Sequence, residues 1–231
     1  MRNIAEHIIY EDKDILVCNK PAGVAVQTRR MGEADMESLL RNYLARKGET
    51  PYAGIVHRLD QPVEGVMVFA KNQKAAAGLS RQMQSGGFDK NYYAVLCGTP
   101  AKKQGVLEDY LCKDGRSNTS SVVTKQTPGA KPARLEYEVV ECVQGEGTEG
   151  ERSLVRIHLM TGRHHQIRVQ FAHVGCPLYG DRKYNRASDG KYAGLALCSY
   201  RLRFVHPTSG RELSYEIVPQ GEAFHKFTLF S

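Results

Sequence analysis

The chain is 231 residues long, 41% hydrophobic and 25% charged, with a formal net charge of +7. That length allows a sizeable core, and no apolar run is long enough to cross a membrane as a helix. Six scattered cysteines without a CxxC pair, and an opening stretch without a signal-peptide core, argue against a disulfide framework and predict a reduced protein of the cytoplasm. The positive balance favours an anionic partner, nucleic acid first.

In chain order, apolar runs at 8–10 and 15–18, divided by Glu11-Asp12-Lys13-Asp14, predict a β-hairpin. It leads into the turn-rich loop Asn19-Lys20-Pro21-Ala22-Gly23. A helix is predicted over 36–47, where Leu39, Leu40, Tyr43 and Leu44 fall at amphipathic spacing before Gly48. The stretch 55–71 holds Asp60 between His57-Arg58 and a turn built on Pro62 and Gly65; the apolar run 66–70 after it has the length of a buried strand. A second helix is predicted over 72–84, capped by Asn72 and stopped by Gly86-Gly87. Strands are expected at 92–97, 106–112, 121–125, 133–143 and 153–159, with an acidic turn at 144–151. A third helix places Ile167, Phe171 and Val174 on one face before Gly175. Strands near 200–205 and 213–217 and a helical turn near 222–226 complete the chain, which has no internal repeat. Strands in runs with few helices predict an α+β fold with a mostly antiparallel sheet, read as one domain over 1–231.

Three stretches can carry chemistry. A carboxylate beside a turn and a buried strand, as at Asp60, can be held rigidly with its oxygens toward a cleft, although such an Asp also serves as an ordinary turn cap. A strand through 90–98 puts Tyr92 and Tyr93 on opposite faces, so at most one is core and the other can line a cleft and stack on a base. Around 160–175, Arg163, His164, His165 and Arg168 gather at a helix start whose amides and dipole favour phosphate, the plainer reading being a solvated basic face. His164, His165, His173, Cys176 and Asp181 lack the paired-ligand spacing of a zinc site, so no metal is expected.

These stretches occur in the order found in the RluA-type RNA pseudouridine synthases, and the chain resembles that family from Asn19-Lys20-Pro21-Ala22-Gly23 to Leu202-Arg203-Phe204-Val205-His206-Pro207. His57-Arg58-Leu59-Asp60 is similar to the catalytic motif, with Asp60 in the place of its aspartate. Tyr92, in Lys90-x-Tyr92-x-Ala94, matches the active-site tyrosine. Gly162-Arg163-His164-His165-Gln166-Ile167-Arg168, followed by Gly180-Asp181, matches the third motif, whose Arg168 is expected to pair with the catalytic aspartate. Gln61-Pro62-Val63-Glu64-Gly65 departs from the usual Thr-Ser-Gly turn after that aspartate.

The resemblance implies a mixed, largely antiparallel sheet in two halves around a central RNA-binding cleft, with flanking helices. It implies isomerisation of uridines in ribosomal or transfer RNA, with Asp60, Tyr92 and Arg168 catalytic. Arg58 would fill the space left by the extruded uridine, and Arg163, His165 and Gln166 would bind RNA. Phosphate neutralisation is also expected from the loops around Lys113, Arg116, Lys125 and Lys131. No cofactor, no membrane partner, no S4-like domain and a monomer are expected. The competing expectation is a catalytically silent RNA-binding protein on the same fold; the joint presence of Asp60, Tyr92 and Arg168 argues against it.

Overall fold

The computed structural model describes residues 3–28, 30, 32–144, 150–185 and 194–230. Most of the acidic turn expected at 144–151 lies outside the described residues. In chain order the elements are β1 (Ile8–Glu11), β2 (Ile15–Lys20), α1 (Met36–Arg46), β3 (Gly54–Ile55), β4 (Glu64–Ala70), α2 (Gln73–Gln84) and β5 (Asp89–Cys97). There follow β6 (Gln104–Asp114), β7 (Thr119–Val123), β8 (Lys131–Gln144), β9 (Glu151–Leu159), α3 (Gln166–His173), β10 (Leu197–Val205) and β11 (Glu212–Glu216). The helical turn expected near 222–226 is a 3-10 turn, Glu222–Lys226. The two-residue β3 and the 3-10 turns Ile4–His7 and Thr228–Phe230 were not predicted; each is too short to leave a periodic pattern.

The chain forms two compact units. Unit one comprises Met1–Asp89 and Ser199–Ile217. There β1 pairs with β2, β2 and β3 with β4, and β10 with β11, all antiparallel. Both helices start on side-chain caps. The Asp35 carboxylate accepts from Ser38 N at 2.8 Å while Ser38 Oγ accepts from Asp35 N, closing a capping box, and Asn72 Oδ1 accepts from Ala75 N at 2.8 Å. All seven residues of β4 are buried, which is why its sequence runs apolar instead of alternating. Ala75 and Leu79 of α2 pack with Ile15, Val17, Val66, Val68, Leu202 and Phe204. Burying a side chain such as Leu79 contributes roughly 1.5–3 kcal/mol.

Unit two comprises Lys90–Cys198 and Val218–Ser231. Its strands lie in the order β5-β9-β8-β6-β7, each pair antiparallel. Two expectations are corrected here. Tyr92 and Tyr93 are both core, at 6% and 7% exposure. The Tyr93 ring meets Phe230 edge-on at 5.1 Å, so the C-terminal segment covers a face that alternation alone would leave open. The second correction concerns α3, which is no amphipathic surface helix: residues 166–171 are all buried, whereas Val174 is 44% exposed. Gln170 Nε2 donates to Asp109 Oδ2 at 2.7 Å, and Val169 packs with Leu111 and Ala133. All six cysteines are free; Cys18, Cys176 and Cys198 are buried, and Cys142 is exposed.

Candidate active site

In unit one the Asp60 turn is fastened from both ends. Leu59 and Val63 are buried and Asp60 between them is half-buried; Val63 N donates to Asp60 O at 3.0 Å. Beneath the turn lies Lys20, the last residue of β2, fully buried. Its Nζ donates to Pro21 O (2.9 Å), Val24 O (2.8 Å) and Gln61 O (3.1 Å), which uses all three ammonium hydrogens. Gly23 N donates to Gln61 O at 2.9 Å and Gln61 Nε2 returns a bond to Gly23 O at 3.0 Å. The loop after β2 and the Asp60 turn are thus one hydrogen-bonded block. Burial pushes the Lys20 ammonium down to about 8, with Asp60, Cys18 and Glu64 opposing that shift.

From the sequence Lys20 reads only as a loop lysine, since nothing in its neighbours marks it as buried. Glu64, in the departing turn, is buried and lies within the field of Lys20. Gly65 has φ +146, and a Cβ there would stand 2.5 Å from Ser199 Cβ and 2.6 Å from Ser199 O. Only glycine fits that close backbone approach. His57 Nε2 accepts from Val68 N at 3.1 Å, which extends the pairing begun by β3. Arg58 is exposed, and its Nη2 donates to Gln27 Oε1 at 2.6 Å.

In unit two the third motif is held by side chains instead. His165 takes a left-handed conformation (φ 53) at the start of α3, and its Nδ1 lies 2.7 Å from Tyr184 OH. His164 stacks on it at 3.7 Å, with Nδ1 2.9 Å from Ser120 Oγ and Nε2 3.1 Å from Asn118 Oδ1. Gln166 Oε1 accepts from Thr161 Oγ1 (2.8 Å) and Arg163 N (3.0 Å), and its Nε2 donates to Arg134 O (3.1 Å). Arg168 Nε and Nη2 each donate to the Asp181 carboxylate at 2.8 Å, a two-pronged buried pair with the Tyr184 ring 5.2 Å from the guanidinium. Asp181 also accepts from Lys183 N and Tyr184 N. The sequence shows Gly180-Asp181 but not that Asp181 seats Arg168, because that role follows from the burial of the arginine, which then requires an acid. Gly180 has φ +74, and any Cβ there would collide with Gly194 O.

These arrangements offer an aspartate on a fastened turn over a buried lysine, a core tyrosine on β5 and a rigidly seated arginine. Residues 14–173 match the family described as RNA pseudouridylate synthase. An uncharacterized RNA pseudouridine synthase of Aquifex aeolicus is 35% identical, over 93% of this chain and 70% of its own. The ribosomal large subunit pseudouridine synthase D of Pasteurella multocida is 34% identical, over 92% of this chain and 67% of its own. Among solved structures, human RNA pseudouridylate synthase domain containing 1 superposes with TM-score 0.77 at 25% identity, covering 92% of this chain and 82% of that one. Human RNA pseudouridylate synthase domain containing 4 gives TM-score 0.76 at 22% identity, covering 94% and 90%.

Proposed function

Since the chain belongs to the RNA pseudouridylate synthase family, enzymes of the isomerase class, we propose that Asp60 is its catalytic carboxylate and that the target is a uridine of ribosomal RNA. The observation that carries the first part is the immobilised Asp60 turn, locked through Lys20 and Gln61. The second part rests on the large-subunit relatives at 34–35% identity. The reaction breaks the C1′–N1 bond of uridine, turns the uracil and joins C5 to C1′. The proton leaving C5 is balanced by the one gained at N1, so no atoms are gained or lost and no cofactor is consumed. Asp60 serves C1′ either as nucleophile or as stabiliser of the sugar cation, as carboxylates do in glycoside cleavage.

Tyr92 lies against the uracil ring and assists the loss of the C5 proton, and Arg168 completes the catalytic set. Arg58 fills the gap left when the base leaves the stack, which a flipped nucleotide requires. Its exposure suits that role. Arg163 contacts RNA directly. His165 and Gln166, both buried and internally bonded, serve RNA binding by holding that segment in shape.

The test is Asp60→Asn and Asp60→Ala, with pseudouridine read as carbodiimide adducts by primer extension on ribosomal RNA. Loss of roughly a thousandfold or more in turnover is expected with folding intact. Wild-type turnover in either variant would sink the assignment, and RNA binding without any isomerisation by the wild-type chain would favour the silent RNA-binding reading.

A further inference from the structure

Several cations have an acid beside them, whereas others, such as Arg41, Arg58 and Lys183, bond to neutral oxygens. Lys47 and Lys71 meet Glu11 and Glu49, Arg134 meets Glu108 and Glu136, and Arg156 meets Glu138. Lys90 and Arg163 differ. Among the described residues no carboxylate pairs with either. Lys90 is half-buried on β5, two residues before Tyr92 and therefore on the same face of the strand, about 6–7 Å along it. Its ammonium reaches the start of the third motif: a Cβ on Gly162 would lie 3.5 Å from Lys90 Nζ. Next in sequence is Arg163, aimed by the bond from its Nε to Pro132 O at 2.8 Å. Burial first and Arg163 second depress the Lys90 ammonium, so both influences disfavour the charge. Two neighbouring cations without a carboxylate repel each other, and an anion bound beside them would offset that repulsion.

We propose that Lys90 and Arg163 form a subsite for one phosphate of a bound RNA strand, with Gly162 keeping the space beside the ammonium open. The proposal rests on the reading of the protein as RNA-acting and adds Lys90 as a binding residue on the uracil side of the chemistry.

The test uses single-stranded oligouridylate binding across a salt series, for wild type, Lys90→Met, Lys90→Arg, Arg163→Gln and the Lys90→Met/Arg163→Gln double variant. Lys90→Met and Arg163→Gln should each weaken binding about tenfold and reduce the slope of log K against log salt by about 0.7, the value for one phosphate on a single strand. Lys90→Arg should keep the wild-type slope. Because one phosphate is shared, the double variant should lose the same 0.7 and no more. Lys90→Met should melt no lower than wild type, since it removes an uncompensated charge; a purely structural lysine would lower the melting temperature. An unchanged slope in Lys90→Met and Arg163→Gln, or a double variant that loses twice the single value, overturns the subsite. Its failure is separable from that of the enzyme assignment. Pseudouridine formed with unaltered slopes defeats the subsite alone, whereas Lys90-dependent binding without isomerisation defeats the catalytic reading alone.

Discussion

The turn that carries Asp60 and the segment that carries Arg168 are both rigid, but by opposite means. In the first, the acceptors are main-chain carbonyls of Pro21, Val24 and Gln61, and one lysine supplies the donors. In the second, side chain meets side chain: Arg168 with Asp181, His165 with Tyr184, His164 with Asn118 and Ser120. A loop fastened through its carbonyls keeps its shape whatever side chains it bears. That accommodates Gln61-Pro62-Val63-Glu64 after Asp60, because the main-chain Gln61 O, bonded to Lys20 Nζ and Gly23 N, carries the fastening. A segment fastened through side chains has no such tolerance. The two regions should therefore fail under different kinds of substitution.

The largest effect is expected in the side-chain-held segment. Arg168→Ala leaves the Asp181 carboxylate, 0% exposed at its side chain, without its cation. A loss of about 3–5 kcal/mol is expected, read as a shift of the urea midpoint. Arg168→Lys should recover little, because an ammonium cannot reproduce the two parallel bonds. Combining Arg168→Ala with Asp181→Ala should cost clearly less than the sum of the two single changes. Additive losses would mean that the pair does not hold the segment, and the contrast between the regions would collapse.

The carbonyl-held turn should break instead through its backbone. Gly65→Ala forces a methyl to within 2.5 Å of Ser199 at φ +146. Overpacking of this kind costs about 1–3 kcal/mol, with backbone strain adding to it. A lowered urea midpoint is expected together with lost pseudouridine formation, since the Asp60 turn runs directly into β4. Gln61→Ala, which keeps the main-chain carbonyl and removes the side-chain bond to Gly23, should be milder in both readouts. A Gln61 variant as damaging as Gly65→Ala would show that side chains matter equally in the turn.

The same contrast explains what could be read in advance. Apolar runs placed most of the strands, and Asn72 and the glycines after α2 bounded that helix, because these signals are local. Asp60 was visible as a carboxylate between a basic pair and a turn. Its fastening was not, because the burial of Lys20 depends on strands distant in sequence, and a lysine is the residue least expected inside. Alternation lets one of Tyr92 and Tyr93 face a cleft because it describes one strand, not the C-terminal segment whose Phe230 packs on Tyr93. The helix after Arg163 was read as amphipathic, whereas Arg168 and Gln170 are buried by partners, Asp181 and Asp109, that periodicity cannot supply.

The smallest effect, and the one that tests the lysine under the turn, is a change in the pH dependence of stability. Lys20 titrates at about 8 in the folded protein, against an ordinary value of 10.5. Below pH 8 both folded and unfolded chains hold this proton, and the group adds no slope. Between about 8 and 10.5 the folded protein has released it while the unfolded chain keeps it, so the unfolded state binds more protons and stability rises with pH. For one proton the slope is at most about 1.4 kcal/mol per pH unit. Cys18, whose thiol burial pushes up to about 12, acts in the opposite sense above the ordinary thiol value of 9.0. The window from pH 8 to 9 is therefore the cleaner one, and the difference between proteins is more telling than wild type alone. Lys20→Met should be less stable throughout, because the carbonyls of Pro21, Val24 and Gln61 lose their donor. The decisive reading is the gap between the two urea midpoints, which should widen as pH rises from 8 to 9, since wild type alone gains from early proton release. A gap of constant width across that window would show that Lys20 does not release its proton there.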